Sequence, residues 1–491
     1  MEERTITMGN PSSKSATSPQ TRPRNEPSDA GPRAAAGRAP KLPPRAPLPR
    51  PIALVLFWKR TLPFIAWARR RVGNTFTVWS PPWGNVVLLT DPDDIKELFG
   101  ADPQLVHPGE GYATVFTALM GPRSIFVLDE DEHLRTRKLM LPPFHGDRVK
   151  AYGELIARIA AEEVDSWEVG RSMRLIEATQ RITLGVMLDA VFGISDPERR
   201  RLLQARLPQT IGPGTLIQIA WMYPWLERVG PWRRHRRLVD GTYDLIRAEI
   251  AERRADPNRE QRTDVLSMLI DARFDDGRAM TDDDLLSQLM ALLLAGHETT
   301  ASALAYGFER LLRHPPVLEH LLAELRDGPG EYLEAVIKET LRVRPVVPNV
   351  IRRLTADADV AGFRLPAGTY MMPSIGGVNT SEALYPDAQA FRPERFLGDS
   401  PPPQSNWIPF GRGRRHCLGA SLATYEMKVV LDTVLSRVEM AATSARSEEA
   451  QMKHVTTAPR HGARVRVVRR LVPAGAPHGE DARPAGLARA G

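Results

Sequence analysis

The chain has 491 residues, 42% hydrophobic and 25% charged, a composition typical of a soluble globular protein with a sizeable core. Its formal net charge is +7, but residues 1–50 contain nine Lys/Arg against four Asp/Glu, so most of the excess lies there and nucleic-acid binding is not indicated. The single cysteine excludes an intrachain disulfide and any metal site that needs several thiolates, and it fits a reducing cytoplasmic environment.

Both ends of the chain are predicted to be disordered. Residues 1–51 contain eleven prolines and no aromatic residue, and residues 471–491 have a similar composition, so neither segment can bury enough apolar surface to fold. The apolar run at 51–67 is split by Lys59 and Arg60 into pieces too short to span ~30 Å of hydrocarbon. We therefore predict a packed or surface-lying helix there and no transmembrane segment, which leaves peripheral membrane contact open.

Between these ends the pattern predicts one domain, residues 52–470, mainly α-helical with a small β region (α+β). The first element is a hairpin with strands at 76–80 and 85–90. Apolar periodicity then predicts helices at 131–140, 148–167, 175–192, 236–254, 264–273, 282–313, 317–326, 332–344 and 418–438. Strand-like segments are expected up to about residue 374 and at the end of the domain.

The helix predicted at 282–313 is the longest, and its middle (LLSQLMALLLAG) is apolar on nearly every face, which indicates a helix buried through the core. Thr281 can cap its N-terminus. The next residues, AGHETT at 295–300, place a glycine and adjacent threonines where they are poor helix formers. They form either a packing notch against another helix or a site with chemistry.

The only cysteine, Cys417, lies in the segment PFGRGRRHCLGA, directly before the last predicted helix. A helix N-terminus stabilises a thiolate. Gly413 allows the preceding loop to turn with positive φ and approach a flat ligand, and Gly419 removes a side chain that would strike it. Phe410 can cover the sulfur, and Arg415 can reach an anionic group. The alternative is a buried structural cysteine in a Gly/Arg turn.

The spacing of these residues favours the ligand site. The pattern F-x-x-G-x-R-x-C-x-G resembles the haem-binding loop of the cytochrome P-450 superfamily, in its bacterial-type soluble members. The resemblance implies a single-domain cytochrome P-450 fold, with heme b (iron protoporphyrin IX) between the long central helix and the helix after the cysteine. Cys417 would be the iron ligand. The implied propionate partners are His133, Arg137, Arg352 and Arg415, with Arg353 as the competitor of Arg352.

Two further motifs agree with this family. Glu339 and Arg342 are three residues apart on a predicted helix and share a face. With Arg395 of the PERF segment they resemble the structural Glu-Arg-Arg triad. In AGHETT the resemblance implies that Gly296 leaves room for dioxygen. It also implies that Thr299 hydrogen-bonds the oxygen and Glu298 relays protons. The segment at 376–387 departs from the family, because it lacks the usual His-Arg-Asp.

The function implied is a haem-thiolate monooxygenase that hydroxylates or epoxidises a lipophilic small molecule, acts as a monomer and receives electrons from a separate ferredoxin or similar redox partner. The apolar segments at 104–126 and 211–232 suggest the lipophilic substrate, although both could be core. A basic surface suited to the partner is expected from Arg135, Lys138, Arg412 and Arg414. The alternatives are a peroxygenase, isomerase or dehydratase on the same scaffold, or a non-catalytic haem-binding sensor.

Overall fold

The computed structural model describes residues 41–212, 223–453 and 455–471. The disorder predicted for 1–40 and 472–491, and the apolar stretch at 213–222, lie outside the described residues. Within them the chain is predominantly helical with small β-sheets, so the predicted α+β class is confirmed. No helix in the described ranges is long and apolar enough to cross a membrane.

The helices have the following bounds: α1 Arg50–Lys59, α2 Thr61–Val72, α3 Pro92–Phe99, α4 Pro108–Met120, α5 Glu130–Met140, α6 Asp147–Ala151, α7 Gly153–Asp165, α8 Leu175–Val186, α9 Pro197–Ile211, α10 Gly230–Ala255, α11 Val265–Asp271, α12 Asp282–Leu311, α13 Pro315–Leu325, α14 Glu331–Val343, α15 Ile375–Asn379 and α16 Ala420–Leu435. A π-helical segment, Met187–Phe192, continues α8. Every helix predicted from periodicity is present, and the prediction for 148–167 is divided between α6 and α7.

The strands have the following bounds: β1 Thr75–Ser80, β2 Gly84–Leu89, β3 Val106–His107, β4 Ser172–Arg174, β5 Arg352–Leu354, β6 Ala358–Val360, β7 Phe363–Leu365, β8 Tyr370–Pro373, β9 Val438–Ala442, β10 Ala450–Lys453, β11 Thr456–Pro459 and β12 Arg464–Arg470. The largest sheet has the order β1-β2-β8-β5-β3, and a second has the order β4-β12-β9. The predicted hairpin is antiparallel β1–β2, with Val78 opposite Val86.

The N-terminal boundary of the ordered chain differs from the predicted one. The Thr77 amide donates to the Pro44 carbonyl at 2.8 Å, and the Ala46 amide donates to the Thr77 carbonyl at 3.0 Å. Ala46 is buried, and α1 already begins at Arg50. Residues 41–51 are therefore ordered, which corrects the boundary that we placed at 51. Proline-rich chain can order in this way because its carbonyls still accept hydrogen bonds from a strand edge.

Helix α12 is the centre of the main hydrophobic core. Thr281 caps it, and the reciprocal hydrogen bonds with Asp284 complete a capping box. The helix packs against α8, α10, α14 and α16, and α4 also contacts it. These contacts bring the AGHETT segment, the Glu-Arg helix α14 and the helix that follows the cysteine into one packed unit. The site residues are therefore held by rigid elements.

Candidate active site

The cysteine loop is a short turn whose shape depends on glycine. The Cys417 amide donates to the Phe410 carbonyl at 3.0 Å, and the His416 amide donates to the Gly413 carbonyl at 3.0 Å. Gly413 has φ +68°, and a Cβ added there would lie 2.4 Å from the Phe99 carbonyl oxygen. No side chain is tolerated at that position, because both the backbone conformation and the space exclude it. The loop is thus closed against the end of α3.

The Cys417 thiol lies two residues before the N-cap of α16. Its side chain is accessible to solvent, although many protein atoms surround it. Burial raises the pKa of Cys417, and the Gly419 amide and the charge of Arg137 oppose that shift without cancelling it. The amide at the helix N-terminus thus favours the thiolate as expected, but in the protein by itself burial outweighs it. Coordination to a metal cation would supply the missing stabilisation, because it deprotonates a thiol outright.

The predicted cationic residues lie close together near this loop. Burial, followed by the charges of Arg415, Arg137 and Arg352 in that order, lowers the pKa of His133 to about 3. His133 is therefore neutral near pH 7. Arg352 is buried and donates to the Ile351 carbonyl at 2.7 Å, whereas Arg353 pairs with Glu110 at the surface. The choice of Arg352 over Arg353 agrees with this burial.

The Arg415 guanidinium is already hydrogen-bonded to three protein groups. Its guanidinium donates to the Ile125 carbonyl at 3.0 Å, to the Leu128 carbonyl, and to Asp129 Oδ1 at 2.8 Å. Burial lowers its pKa to about 10. One face of Arg415 is therefore committed to the chain before α5, and only its remaining N–H groups are available to a ligand.

The charges of this cluster are unbalanced. Asp129 is the one carboxylate within ion-pair distance of Arg137, Arg352 or Arg415 in the described part of the chain. Arg137 forms no hydrogen bond or ion pair with the described residues. Arg352 is buried and Arg137 half-buried, and neither has a carboxylate partner among the described residues, so an anionic ligand would offset the cost of their unpaired charge. The two carboxylates of a haem fit this need, and Cys417 supplies the thiolate ligand.

The AGHETT segment lies within α12, where the side chains of Glu298 and Thr299 are half-buried. The Thr299 hydroxyl donates to the Ala295 carbonyl at 2.5 Å, one turn earlier in the helix. A Cβ added at Gly296 would lie 2.7 Å from the Met187 sulfur. Gly296 therefore makes room for Met187 of the π-helical segment. Its role of leaving space for dioxygen stays a prediction.

Helix α8 supplies two hydroxyls that the sequence analysis missed. Thr183 Oγ1 lies 2.9 Å from His297 Nδ1 and donates to the His297 carbonyl at 3.0 Å, while Thr179 donates to the Ala301 carbonyl at 2.9 Å. Burial lowers the pKa of His297 to about 4. These contacts pin α12 to α8 on either side of Thr299. Only the four-residue spacing of the two threonines could have indicated a shared helix face.

The Glu-Arg-Arg residues form one buried network. Glu339 Oε2 accepts from Arg342 Nε at 2.7 Å, and Glu339 Oε1 accepts from Arg395 Nε at 3.3 Å. The two arginines also donate to the backbone carbonyls of five residues in the irregular segment: Asn379, Pro386, Asp387, Ala388 and Ala390. The network therefore fixes the chain that follows α15, which includes the segment without the family's His-Arg-Asp.

The residues predicted for a partner surface are only partly available. Lys138 pairs with Asp275 at 2.7 Å, and both side chains are exposed. Arg135 and Arg414 are exposed, whereas Arg412 carries a buried nitrogen without a hydrogen-bond partner in the described chain. Because exposed ion pairs contribute little free energy, Lys138 can still exchange partners.

Comparison with known proteins identifies the class that this fold and site define. The model of the cytochrome P450 family matches residues 40–463. The putative cytochrome P450 135B1 of Mycobacterium tuberculosis H37Rv is 42% identical over 432 residues, covering 87% of this chain and 91% of the relative. The putative cytochrome P450 135A1 of the same strain is 37% identical over 429 residues, covering 87% and 95%.

Solved structures agree in fold. The cyanobacterial CYP120A1 with bound retinoic acid has a TM-score of 0.74 at 23% identity, covering 88% of this chain and 100% of that one. The haem domain of cytochrome P450DA has a TM-score of 0.77 at 22% identity, covering 89% and 99%. The chain belongs to the cytochrome P450 family. It is therefore a haem-dependent monooxygenase, a class that acts in general on lipophilic substrates with the help of a redox partner.

Proposed function

We propose that this protein hydroxylates or epoxidises a lipophilic small molecule, with electrons from a separate ferredoxin and its reductase. The single observation that carries the proposal is the position of the only cysteine. Cys417 sits in a glycine-shaped loop next to Arg137, Arg352 and Arg415, of which only Arg415 has a carboxylate partner, Asp129, in the described chain. That donor set fits heme b, with one thiolate for the iron and cations for two propionates.

The cofactor's anionic groups would be held by His133, Arg137, Arg352 and Arg415. His133 is neutral near pH 7 and would donate a hydrogen bond without charge, while the arginines would supply charge. The aromatic ring of Phe410 lies beside Trp407, with ring centroids 5.9 Å apart, and its carbonyl holds the Cys417 amide. Phe410 therefore shapes the loop through its carbonyl, and its ring would shield the sulfur.

When bound, the haem supplies dioxygen activation, because electron donation from the thiolate favours O–O bond cleavage. Thr299 would hold and pass on the protons that this cleavage consumes, and Glu298 would bring them from solvent. For this the Thr299 hydroxyl, which donates to the Ala295 carbonyl, keeps its lone pairs free to accept. Gly296 contributes through its packing against Met187, which sets the path of α12.

A lipophilic substrate is supported by an aromatic cluster beside these elements. Tyr112 and Phe116 of α4 stack with ring centroids 5.4 Å apart, and Phe126 lies 5.5 Å from Phe116. Helix α4 packs against α12 and β5, so this cluster is next to the Thr299 helix and the Arg352 strand. An apolar wall at this place favours ligands that bury hydrocarbon, such as fatty acids, terpenoids, steroids or polyketides.

The proposal is tested in two steps. The reduced protein should show the red-shifted carbon monoxide Soret band of thiolate-ligated haem, and a panel of lipophilic compounds should include some that shift the spin state. With such a compound, product formation should require dioxygen, a ferredoxin, its reductase and NAD(P)H together. Product formed equally well without the reductant, or from peroxide alone, would contradict the monooxygenase and favour a peroxygenase, isomerase or dehydratase.

A further inference from the structure

Asp129, the residue before α5, binds two separate parts of the site at once. Its Oδ1 accepts from Arg415 Nη2 at 2.8 Å and from the Gly109 amide at 2.8 Å. Its Oδ2 accepts from the Glu110 amide at 2.8 Å. The side chain is 11% exposed, so these bonds are largely shielded from water. Hydrogen bonds to a charged carboxylate are about twice as strong as neutral ones.

The groups that share this carboxylate come from two elements that are far apart in the sequence. Arg415 belongs to the cysteine loop, two residues before Cys417. Gly109 and Glu110 form the first turn of α4, the helix that carries the aromatic cluster and packs against α12 and β5. Asp129 is thus the junction between the loop that would hold the cofactor and the helix that would contact the substrate.

The backbone at the start of α4 is closely packed against the chain before α5. A Cβ added at Gly109 would lie 2.6 Å from Asp129 Oδ2 and from the carbonyl oxygens of Val127 and Leu128, so the α4 backbone lies directly on this chain. The Leu128 carbonyl accepts a second hydrogen bond from Arg415. Val127, Leu128 and Asp129 are thus the residues that contact the start of α4. Displacement of the Arg415 guanidinium would move these same three residues.

A second contact braces the same junction. His107, just before α4, places Nδ1 2.7 Å from Glu110 Oε1 and Nε2 2.9 Å from Glu130 Oε1. Its ring therefore links the first turn of α4 to the first residue of α5. The beginnings of the two helices are therefore held together by both sets of bonds. His107 Nδ1 also lies 3.9 Å from Asp129 Oδ2, but only Asp129 binds the cysteine loop.

We propose that Asp129 is a positioning residue that couples the first turn of α4 to Arg415, so that a perturbation on either side is transmitted to the other. The coupling itself is a property of the protein's own contacts. Its consequence, that anchoring of the cofactor and binding of the substrate influence each other, rests on the proposed function. A carboxylate that only capped α4 would not respond to changes in the loop.

The test is hydrogen–deuterium exchange of the haem-loaded protein, read in peptides that cover residues 105–112. Arg415→Lys keeps the charge but loses the guanidinium fork, and it should speed exchange there about fivefold, the order of effect of a weakened helix cap. Asp129→Asn should do the same. Asp131→Asn is the matched control, since Asp131 is exposed and forms no ion pair with the described residues, and it should leave exchange unchanged.

Coupling in the other direction, from Asp129 to the loop that would hold the cofactor, is measured as the rate of haem loss to an excess of an apo-globin acceptor. Asp129→Asn should speed haem loss several-fold although the residue does not contact the thiolate, and Asp131→Asn should not. Unchanged exchange at 105–112 in Arg415→Lys, or unchanged haem loss in Asp129→Asn, would each overturn the coupling. Because neither readout involves turnover, such a failure is separate from a failure of the monooxygenase assay.

Discussion

Glu339 and Arg342 form two parallel hydrogen bonds, of 2.7 and 2.8 Å, and neither side chain is exposed to solvent. Arg342→Leu leaves the buried Glu339 carboxylate without its main partner and also removes donors from the carbonyls of the irregular segment. We expect it to lower the free energy of unfolding by about 3–5 kcal/mol, the usual cost of breaking a buried ion pair. Denaturant unfolding followed by circular dichroism measures this.

The control for that variant is an exposed pair with the same spacing. Arg201 and Glu198 are also three residues apart on a helix, at 2.7 Å, but both side chains are largely exposed. Arg201→Leu should leave the denaturation midpoint almost unchanged, because water solvates either partner alone. If the two variants shifted the midpoint equally, burial would not be what makes the Glu339–Arg342 pair important.

The comparison of these two pairs also explains what could be predicted from the sequence. Spacing along one helix is a local property, so the shared face of Glu339 and Arg342 and the bounds of α12 followed from periodicity. Burial was not visible in that spacing. Burial became predictable only because the loop around Cys417 identified the family, in which this pair belongs to the structural Glu-Arg-Arg triad.

Contacts between distant elements could not be predicted in the same way. Gly296 meets Met187 and Asp129 meets Arg415 across 109 and 286 residues of sequence, through packing that no local pattern encodes. Helices α4 and α9 were missed for a different reason. Both begin with a proline. In a sequence, proline usually indicates the end of a helix, although it also fits the first turn of one.

Thr299→Ala should uncouple the consumption of reductant from product formation. The variant keeps the helix but removes the hydroxyl that we assign to directed proton transfer. Dioxygen that is reduced but not cleaved should then leave as hydrogen peroxide, which takes its two protons from solvent. Product per NAD(P)H should fall several-fold while peroxide rises, both measured in one assay. Thr299→Ser restores a hydroxyl at the same position and should recover most of the coupling. Normal coupling in the alanine variant would remove Thr299 from the proton path.

Cys417→Ser should abolish the thiolate spectrum, because the chain has no other cysteine to replace the ligand. A serine hydroxyl has nearly the same size, so circular dichroism should show a folded protein. The carbon monoxide complex of the reduced variant should then lack the red-shifted Soret band. Retention of that band would mean that Cys417 is not the ligand.

The buried His297 should make stability depend on pH. Its pKa is lowered to about 4 in the folded protein from an ordinary value of 6.5, so between these values the unfolded chain binds the extra proton. The contribution of neutral His297 is fully present above pH 6.5 and is lost as the pH falls towards 4, by roughly 3 kcal/mol in all.

The control for this pH dependence is His297→Gln, which retains a hydrogen-bonding group for Thr183 but cannot titrate. Free energies of unfolding measured at pH 7.5, 6.5, 5.5 and 4.5 should fall less steeply in the variant than in the wild type. Parallel curves for the two proteins would show that His297 is not the group protonated on unfolding.

Two glycines of the cysteine loop provide a matched pair. Gly411 and Gly413 both have φ +68°, but a Cβ would meet nothing within 4 Å at Gly411, whereas at Gly413 it would lie 2.4 Å from the Phe99 carbonyl oxygen. Gly411→Ala should therefore cost only the backbone strain, about 1–2 kcal/mol. Gly413→Ala adds a clash with a backbone atom that cannot move without shifting the end of α3, so it should be clearly more destabilising.

Haem content per chain and the thermal midpoint of the haem-loaded protein measure both effects. We expect Gly411→Ala to bind haem nearly normally and Gly413→Ala to lose most of it, because the displaced loop no longer presents Cys417 in one orientation. Equal losses in the two variants would mean that backbone conformation alone shapes the loop. In that case the contact with Phe99 would contribute nothing to the position of the ligand.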